Sequence, residues 1–210
     1  MIGVQFSRGC PFNCEFCDVI ELFGRKVRLK EPAQVIRELE ELHRLGYRGH
    51  VDFVDDNLIG NRPRARELLR EVVAWSARRG HPFFFSTEAS INLADDPELL
   101  RLMQEADFRY VFVGIESADP GVLAANRKLQ NVNRTLVEDL AAIYRHGIVV
   151  NAGFIVGFDT ETRESARLAL GFVRLIRAMG VTGLRARLFW RNVLAILVSR
   201  PANLDIAVNL

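Results

Sequence analysis

Ser7-Arg8-Gly9-Cys10-Pro11-Phe12-Asn13-Cys14-Glu15-Phe16-Cys17 follows directly on the first apolar run of the chain, Gly3–Phe6. Its spacing is C-x3-C-x2-C with an aromatic residue before the last cysteine, and the 210 residues contain no other cysteine. A structural zinc site closes with four ligands, commonly two C-x2-C pairs. Three thiolates without a fourth partner instead suit an iron–sulfur cube with one iron left open to chelate a small molecule. An odd number of thiols packed into eight residues fits a reducing compartment and a metal site better than a disulfide framework. Gly9 and Pro11 help such a loop to wrap tightly.

Downstream of the loop, short β-like runs alternate with longer amphipathic helices. The runs are Gly3–Phe6, Val51–Val54, Phe83–Thr87, Tyr110–Ile115 and Val149–Val156, rich in Val, Ile and Phe, as expected of parallel strands buried on both faces. Glu31-Pro32 opens a helix that carries Leu39, Leu42 and Leu45 and ends at Gly46. A second helix runs from about Pro63 to Arg79 with Leu68, Leu69, Val72 and Trp75 on one side, and Gly80 ends it. Asp96-Pro97-Glu98 supplies a cap, a first-turn Pro and a favourable acid for a third. Asn133 is the expected cap of a fourth helix ending at Gly147, and Thr162 or a neighbour starts a fifth that ends near Met179-Gly180. Repeated β–α units without antiparallel hairpins imply a parallel sheet with outer helices, either doubly wound or a (β/α) barrel.

The remaining composition narrows the class of function. Twenty-eight basic and 26 acidic residues give a net charge of +2, too balanced for a nucleic-acid-binding surface. No stretch is apolar for the ~20 residues that a bilayer-spanning helix needs. Met-Ile-Gly-Val-Gln-Phe lacks the charged leader and apolar core of a signal peptide, so the expected location is the cytoplasm.

In either parallel architecture, functional groups gather at the C-terminal ends of the strands. Those ends carry Ser7 to Cys17, Asp55-Asp56-Asn57, Glu88, Glu116-Ser117 and Asp159, so one rim holds three thiols and a ring of acids. His43, His81 and His146 fall at helix C-termini and His50 just before a strand, on the opposite rim, where the helix dipole accounts for them.

With these residues in view, the cysteine loop resembles the signature of radical S-adenosylmethionine (SAM) enzymes. The resemblance implies that Cys10, Cys14 and Cys17 bind three irons of a [4Fe–4S] cluster while the amine and carboxylate of SAM chelate the fourth. Phe16 would lie near the adenine, and Asp55, Asp56 and Asn57 occupy the place of the motif that holds the SAM amine. Glu88, Glu116 and Ser117 sit where the family contacts the methionine and ribose portions. Gly153 to Gly157 resembles a glycine-containing strand on which the adenine approaches the backbone. The implied fold is α/β, a partial (β/α) barrel of about five to six parallel strands with outer helices. The implied reaction is reductive cleavage of SAM to methionine and a 5′-deoxyadenosyl radical, fed by a donor such as flavodoxin or ferredoxin.

Arg8 to Asp18, Gly49 to Asn57, Phe85 to Ser90 and Ala152 to Asp159 further resemble cobalamin-associated radical SAM proteins, the subgroup that includes hopanoid-modifying methylases. This likeness runs over about residues 1–180. Two departures set expectations. Met1 almost adjoins the first strand, where the subgroup carries a cobalamin-binding domain, so cobalamin use by this chain alone is not expected. After Gly180 the chain moves quickly through Val181-Thr182-Gly183-Leu184 to Leu188-Phe189-Trp190-Arg191, as if a sixth strand had been deleted. Residues 1–187 thus read as an incomplete radical SAM core and 188–210 as the remnant of a C-terminal extension. That apolar tail, with Arg191 and Arg200, reads as a cover for core or partner surface before it reads as a contact for a membrane surface or lipid substrate. Arg25-Lys26 and Arg28-Lys30 read as a solvated charged loop.

Two other readings stand beside the enzyme: a truncated, catalytically inactive remnant that binds a cluster, and a barrel hydrolase whose rim acids hold a divalent metal. The substrate, small molecule or lipid, is not encoded in any of these motifs.

Overall fold

The computed structural model describes residues 1–171. Expectations that fall later in the chain lie outside the described residues: the end of the fifth helix near Met179-Gly180, the sixth strand, the boundary at residues 187 and 188, and the tail from Leu188.

Five parallel strands form the main sheet: β1 (Ile2–Val4), β4 (Gly49–Phe53), β5 (Phe83–Glu88), β6 (Phe108–Glu116) and β7 (Val149–Phe154), in the order β1-β4-β5-β6-β7. The register pairs Ile2 with Val51, Val51 with Phe85, Ser86 with Tyr110, and Phe112 with Asn151. Each strand lies beside the one made before it, with no reversal of order. A doubly wound sheet reverses at its switch point. The monotonic order is that of a (β/α) barrel segment, which settles the choice the periodicity left open.

A small antiparallel pair, β2 (Ser7–Arg8) with β3 (Arg28–Leu29), was not expected. It closes the cysteine loop at its base, and two-residue strands carry too little periodicity to be read from sequence. Between them lies a short helix, α1 (Val19–Phe23).

The crossover helices are α2 (Pro32–Arg44), α3 (Arg62–Arg78), α4 (Pro97–Glu105) and α6 (Leu136–Arg145), with a shorter α5 (Pro120–Ala125) after β6. Their starts follow local chemistry. Glu31 and Gln34 form a capping box on α2, and the Asp96 carboxylate accepts from the Leu99 amide at 3.1 Å on α4. The expected cap Asn133 has instead a positive φ of 58°, a turn conformation that Asn tolerates, and Thr135 takes the N-cap position without a side-chain bond.

The core lies between these helices and one face of the sheet. Val51, Phe53, Phe83, Phe85, Val111 and Val113 are buried against Val35, Leu39, Leu68, Leu69, Val72, Leu99, Leu100 and Ile143. Trp75 of α3 stacks on Phe83 at 5.4 Å between ring centroids, and Phe85 meets Phe108 at 5.2 Å. The strands are not buried on both faces, as their apolar runs suggested. On the other face Asp52, Phe84 and Gly114 are part-exposed, while Val54 and Phe112 are 49% and 44% exposed. That face carries polar residues as well, so the runs are less continuous than a two-sided core strand. His50 lies within β4 rather than before it, stacked on Phe84 at 4.9 Å with its Nε2 2.6 Å from Ser86 Oγ.

The chain divides into two compact units, Met1–Glu161 and Thr162–Leu210. In the second, Thr162 Oγ1 accepts from the Ser165 amide at 3.2 Å and residues 163–171 are helical, so the expected fifth helix does start there.

Candidate functional site

The cysteine loop leaves β1 and is gripped by three consecutive residues at the end of β4. The Asp55 carboxylate, 1% exposed, accepts from the Phe6 amide at 3.0 Å and from both the amide and the hydroxyl of Ser7. Asp56 accepts from the Gly9 amide at 2.9 Å. Asn57 Nδ2 reaches the Cys10 sulfur at 3.8 Å and Ser90 Oγ at 3.2 Å, while its carbonyl accepts from the Ser90 amide at 3.2 Å. Burial pushes the Asp55 carboxyl above the ordinary Asp range despite its three donors. These side chains therefore shape the backbone that carries the thiols, and Asp55 has both oxygens engaged in doing so.

Gly9 is required by geometry. Its φ is +97°, and a β-carbon there would stand 2.8 Å from the Gly24 carbonyl oxygen. From the other side the Arg25 guanidinium donates to the Pro11 carbonyl at 3.1 and 3.3 Å.

Cys14 is buried, and Cys10 and Cys17 are part-exposed; all three are free thiols. The Cys17 amide donates to the Cys14 carbonyl at 3.3 Å. Burial pushes the Cys10 thiol upward, opposed by hydrogen bonds from Phe12 and Asn57, and the charges of Cys14 and Cys17 add to the rise. Among the described residues no group of three His, Cys, Asp or Glu side chains is placed to hold one metal ion. That is compatible with a cube, in which each thiolate takes its own iron. Three soft donors on one pinned loop, with side-chain amides aimed at two of the sulfurs, fit an iron–sulfur cluster.

The outer wall was not legible in the sequence. It comes from residues 126–131, after α5. The Asn126 carbonyl accepts from the Glu15 amide at 3.1 Å, and Gln130 Nε2 lies 3.5 Å from the Cys14 sulfur. Asn131 Nδ2 donates to the carbonyls of Gly114 and Ile115, each at 3.0 Å. Lys128 Nζ sits 2.9 Å from Glu116 Oε1 and 5.7 Å from the centre of the Phe16 ring. The only local signal is a run of polar residues, Asn126-Arg127-Lys128 and Gln130-Asn131, where an amphipathic period would otherwise continue.

The other expected positions fall on the same rim. Phe16 packs at 5.6 Å on Phe158. Glu116 is nearly buried with φ +66°, and its carbonyl accepts from the Ile155 amide at 3.0 Å. Ser117 Oγ accepts from the Asp119 amide at 3.1 Å, which turns it into the start of α5. Glu88 is pushed upward by partial burial, then by the nearby Asp52 and Asp56 charges. A β-carbon at Gly153 would lie 2.7 Å from Phe112 Cζ, so glycine leaves room for that ring. Gly157, with φ +100°, donates its amide to Glu161 at 2.9 Å. Cysteines and acids thus share one end of the sheet, while Asp55, Asp56 and Asn57 turn toward the loop.

A parallel sheet of barrel order with a three-thiol loop after its first strand defines the radical SAM class of enzymes. The sequence profile of the Radical SAM superfamily matches residues 4–173, and the chain belongs to that superfamily, whose members use a [4Fe–4S] cluster and SAM. Within it, the chain is 51% identical over 160 residues to an uncharacterised methyltransferase of Synechocystis sp., covering 76% of this chain and 30% of the relative. It is 45% identical over 171 residues to the hopanoid C-2 methylase of Rhodopseudomonas palustris, covering 81% and 32%. The chain therefore spans about a third of the length of the curated relatives it matches. Among solved structures, the radical SAM methyltransferase TsrM of Kitasatospora setae, with cobalamin and a [4Fe–4S] cluster bound, superposes with a TM-score of 0.74 at 20% identity, over 85% of this chain and 33% of that one. The cobalamin-dependent radical enzyme OxsB gives 0.67 at 20% identity, over 81% and 26%. At such identities the likeness is one of fold.

Proposed function

We propose that this chain is the cluster- and SAM-binding core of a radical SAM methyltransferase, with Cys10, Cys14 and Cys17 as the iron ligands. The observation that carries the reading is the grip of Asp55, Asp56 and Asn57 on residues 6–10, which presents three sulfurs beside a rim of acids. A reduced cluster bound there would supply the electron that splits SAM into methionine and a 5′-deoxyadenosyl radical.

The chain's own residues prepare that site. Asp55 and Asp56 hold the loop backbone, Asn57 and Gln130 face two of the sulfurs, and Phe16 with Phe158 forms an apolar wall. Glu88, Glu116, Ser117, Gly153 and Gly157 are proposed as the surroundings of SAM, a sulfonium whose positive charge suits an acidic rim. A core over residues 1–187 and an external low-potential electron donor of the flavodoxin or ferredoxin type belong to the same proposal. Methyl transfer is drawn from the relatives' names. Exposed Val54 and Phe112 on the sheet face away from the helices favour a substrate with apolar surface. No helix among the described residues is long and apolar enough to cross a membrane.

The test is anaerobic reconstitution with iron and sulfide, then dithionite reduction with SAM and chromatography for 5′-deoxyadenosine. Product that disappears in Cys14→Ala is the expected result. A cluster without product favours a cluster-binding remnant, and failure to bind iron overturns the reading.

A further inference from the structure

We propose that Gln130 sets the reduction potential of the cluster through a hydrogen bond from its Nε2 to the Cys14 sulfur, acting as a positioning and tuning residue. The inference rests on the cluster assignment above and goes beyond it, since nothing in the family match distinguishes Gln130.

The amide reaches the sulfur at 3.5 Å from a position 116 residues later in the chain. It is held from both sides. Asn131 next to it is fastened to the carbonyls of Gly114 and Ile115, and Asn126 and Arg127 meet Glu15, the former through the Glu15 amide at 3.1 Å and the latter at 3.9 Å. Cys14 is 7% exposed, so the bond is made away from bulk water, where a donor acts more strongly on charge.

The Gln130 amide presents its Nε2 to the sulfur, and among the described residues its buried Oε1 has no hydrogen-bond partner. Asn57 differs, because its amide is divided between Cys10 and Ser90 and also fastens the loop. Among the described hydrogen bonds, the Gln130 side chain makes the one to Cys14 alone.

The direction follows from charge. One electron from an external reductant converts the 2+ cube to the 1+ cube, and the cluster with its thiolates gains one negative charge. A donor on a ligating sulfur stabilises the more negative state, which raises the potential. Removing the donor lowers it.

The experiment is an EPR-monitored redox titration of the reconstituted chain without SAM, in wild type, Gln130→Leu, Gln130→Glu and the exposed neighbour variant Leu129→Ala, with iron content measured in parallel. At the wild-type midpoint, the ratio of reduced to oxidised cluster in Gln130→Leu is expected to fall about tenfold, a shift of about 59 mV for a one-electron couple. Gln130→Glu, which puts negative charge at the same place, falls further, and Leu129→Ala stays with wild type. If wild type loads its cluster and the Leu and Glu variants keep its midpoint, this inference is overturned and the function stands. If wild type binds no cluster, the proposed function falls and this inference goes with it. Should Gln130→Leu not load, Gln130→Asn decides: a lowered midpoint supports the proposal, and an unchanged midpoint or a failure to load overturns it.

Discussion

Lys128 Nζ and Glu116 Oε1 lie 2.9 Å apart with both side chains about nine-tenths buried, and Gly114 has no β-carbon to obstruct them: one built there would stand 2.1 Å from Glu116 Oε1 and 3.0 Å from Lys128 Nζ. A buried pair of this kind is worth little against an apolar replacement, yet breaking it is costly because one charge is stranded. Lys128→Met is therefore expected to destabilise the chain by about 3–5 kcal/mol. The double variant Lys128→Met with Glu116→Gln should recover much of that loss. Urea unfolding of the four proteins in the cycle measures both; equal costs for the single and double variants would refute the stranded charge.

Gly9 and Gly24 both have positive φ, but only Gly9 is crowded, with the Gly24 carbonyl oxygen 2.8 Å from its would-be β-carbon. Gly9→Ala should cost about 1–3 kcal/mol through strain and lower the iron taken up on reconstitution. Gly24→Ala, with nothing within 4 Å, should cost about 1 kcal/mol and keep its iron. Iron and sulfide analysis of the two variants separates crowding from φ alone.

Asp55 gives a pH signature. Its carboxyl is held above the ordinary Asp range, chiefly by burial. Between about 3.9, the unfolded value, and the raised folded value, the native state holds more protons than the unfolded chain. Its contribution is fully present below the unfolded value and is lost as pH rises through the folded one. Asp55→Asn should flatten this slope in denaturation curves taken across the acid range. An unchanged slope would place the titration elsewhere.

Asp96 provides a control remote from the thiols. It is 4% exposed, caps α4 through the Leu99 amide and pairs with Arg66, which keeps a second partner in Glu98 at 3.1 Å. Asp96→Ala should cost about 1–2 kcal/mol in thermal or urea unfolding, in the range for lost caps. Cluster loading should be unchanged.

The sequence makes legible what depends on near neighbours. Pro32, Pro63 and Pro97 mark helix starts because a first-turn proline gives up an amide that has no partner there anyway. The five main strands announce themselves by short runs of Val, Ile and Phe, and the three thiols by their spacing. Asn133 misleads because a residue that caps well also accepts positive φ, and only the fold decides between the two. Asp55 reads as a rim acid open to a ligand, since nothing local says that its carboxylate turns back onto the Phe6 and Ser7 amides, 49 and 48 residues earlier. Gln130 is hidden for the same reason on a larger scale, since no periodicity records its pairing with Cys14 over 116 positions. Lys128 and Asn131 reach only 12 to 17 positions back, to Glu116, Gly114 and Ile115, but across an irregular turn that has no period either.

The strand order β1-β4-β5-β6-β7 has a consequence for how the site is completed. Each strand of the sheet lies beside the one before it in the chain, whereas the thiol loop is closed by segments that come later: Asp55 to Asn57 on its inner side and Gln130 on its outer side. The surroundings of the three thiols are therefore complete only when the chain as far as residue 131 has folded, so they depend on the whole span from β1 to the segment after α5 rather than on the loop itself.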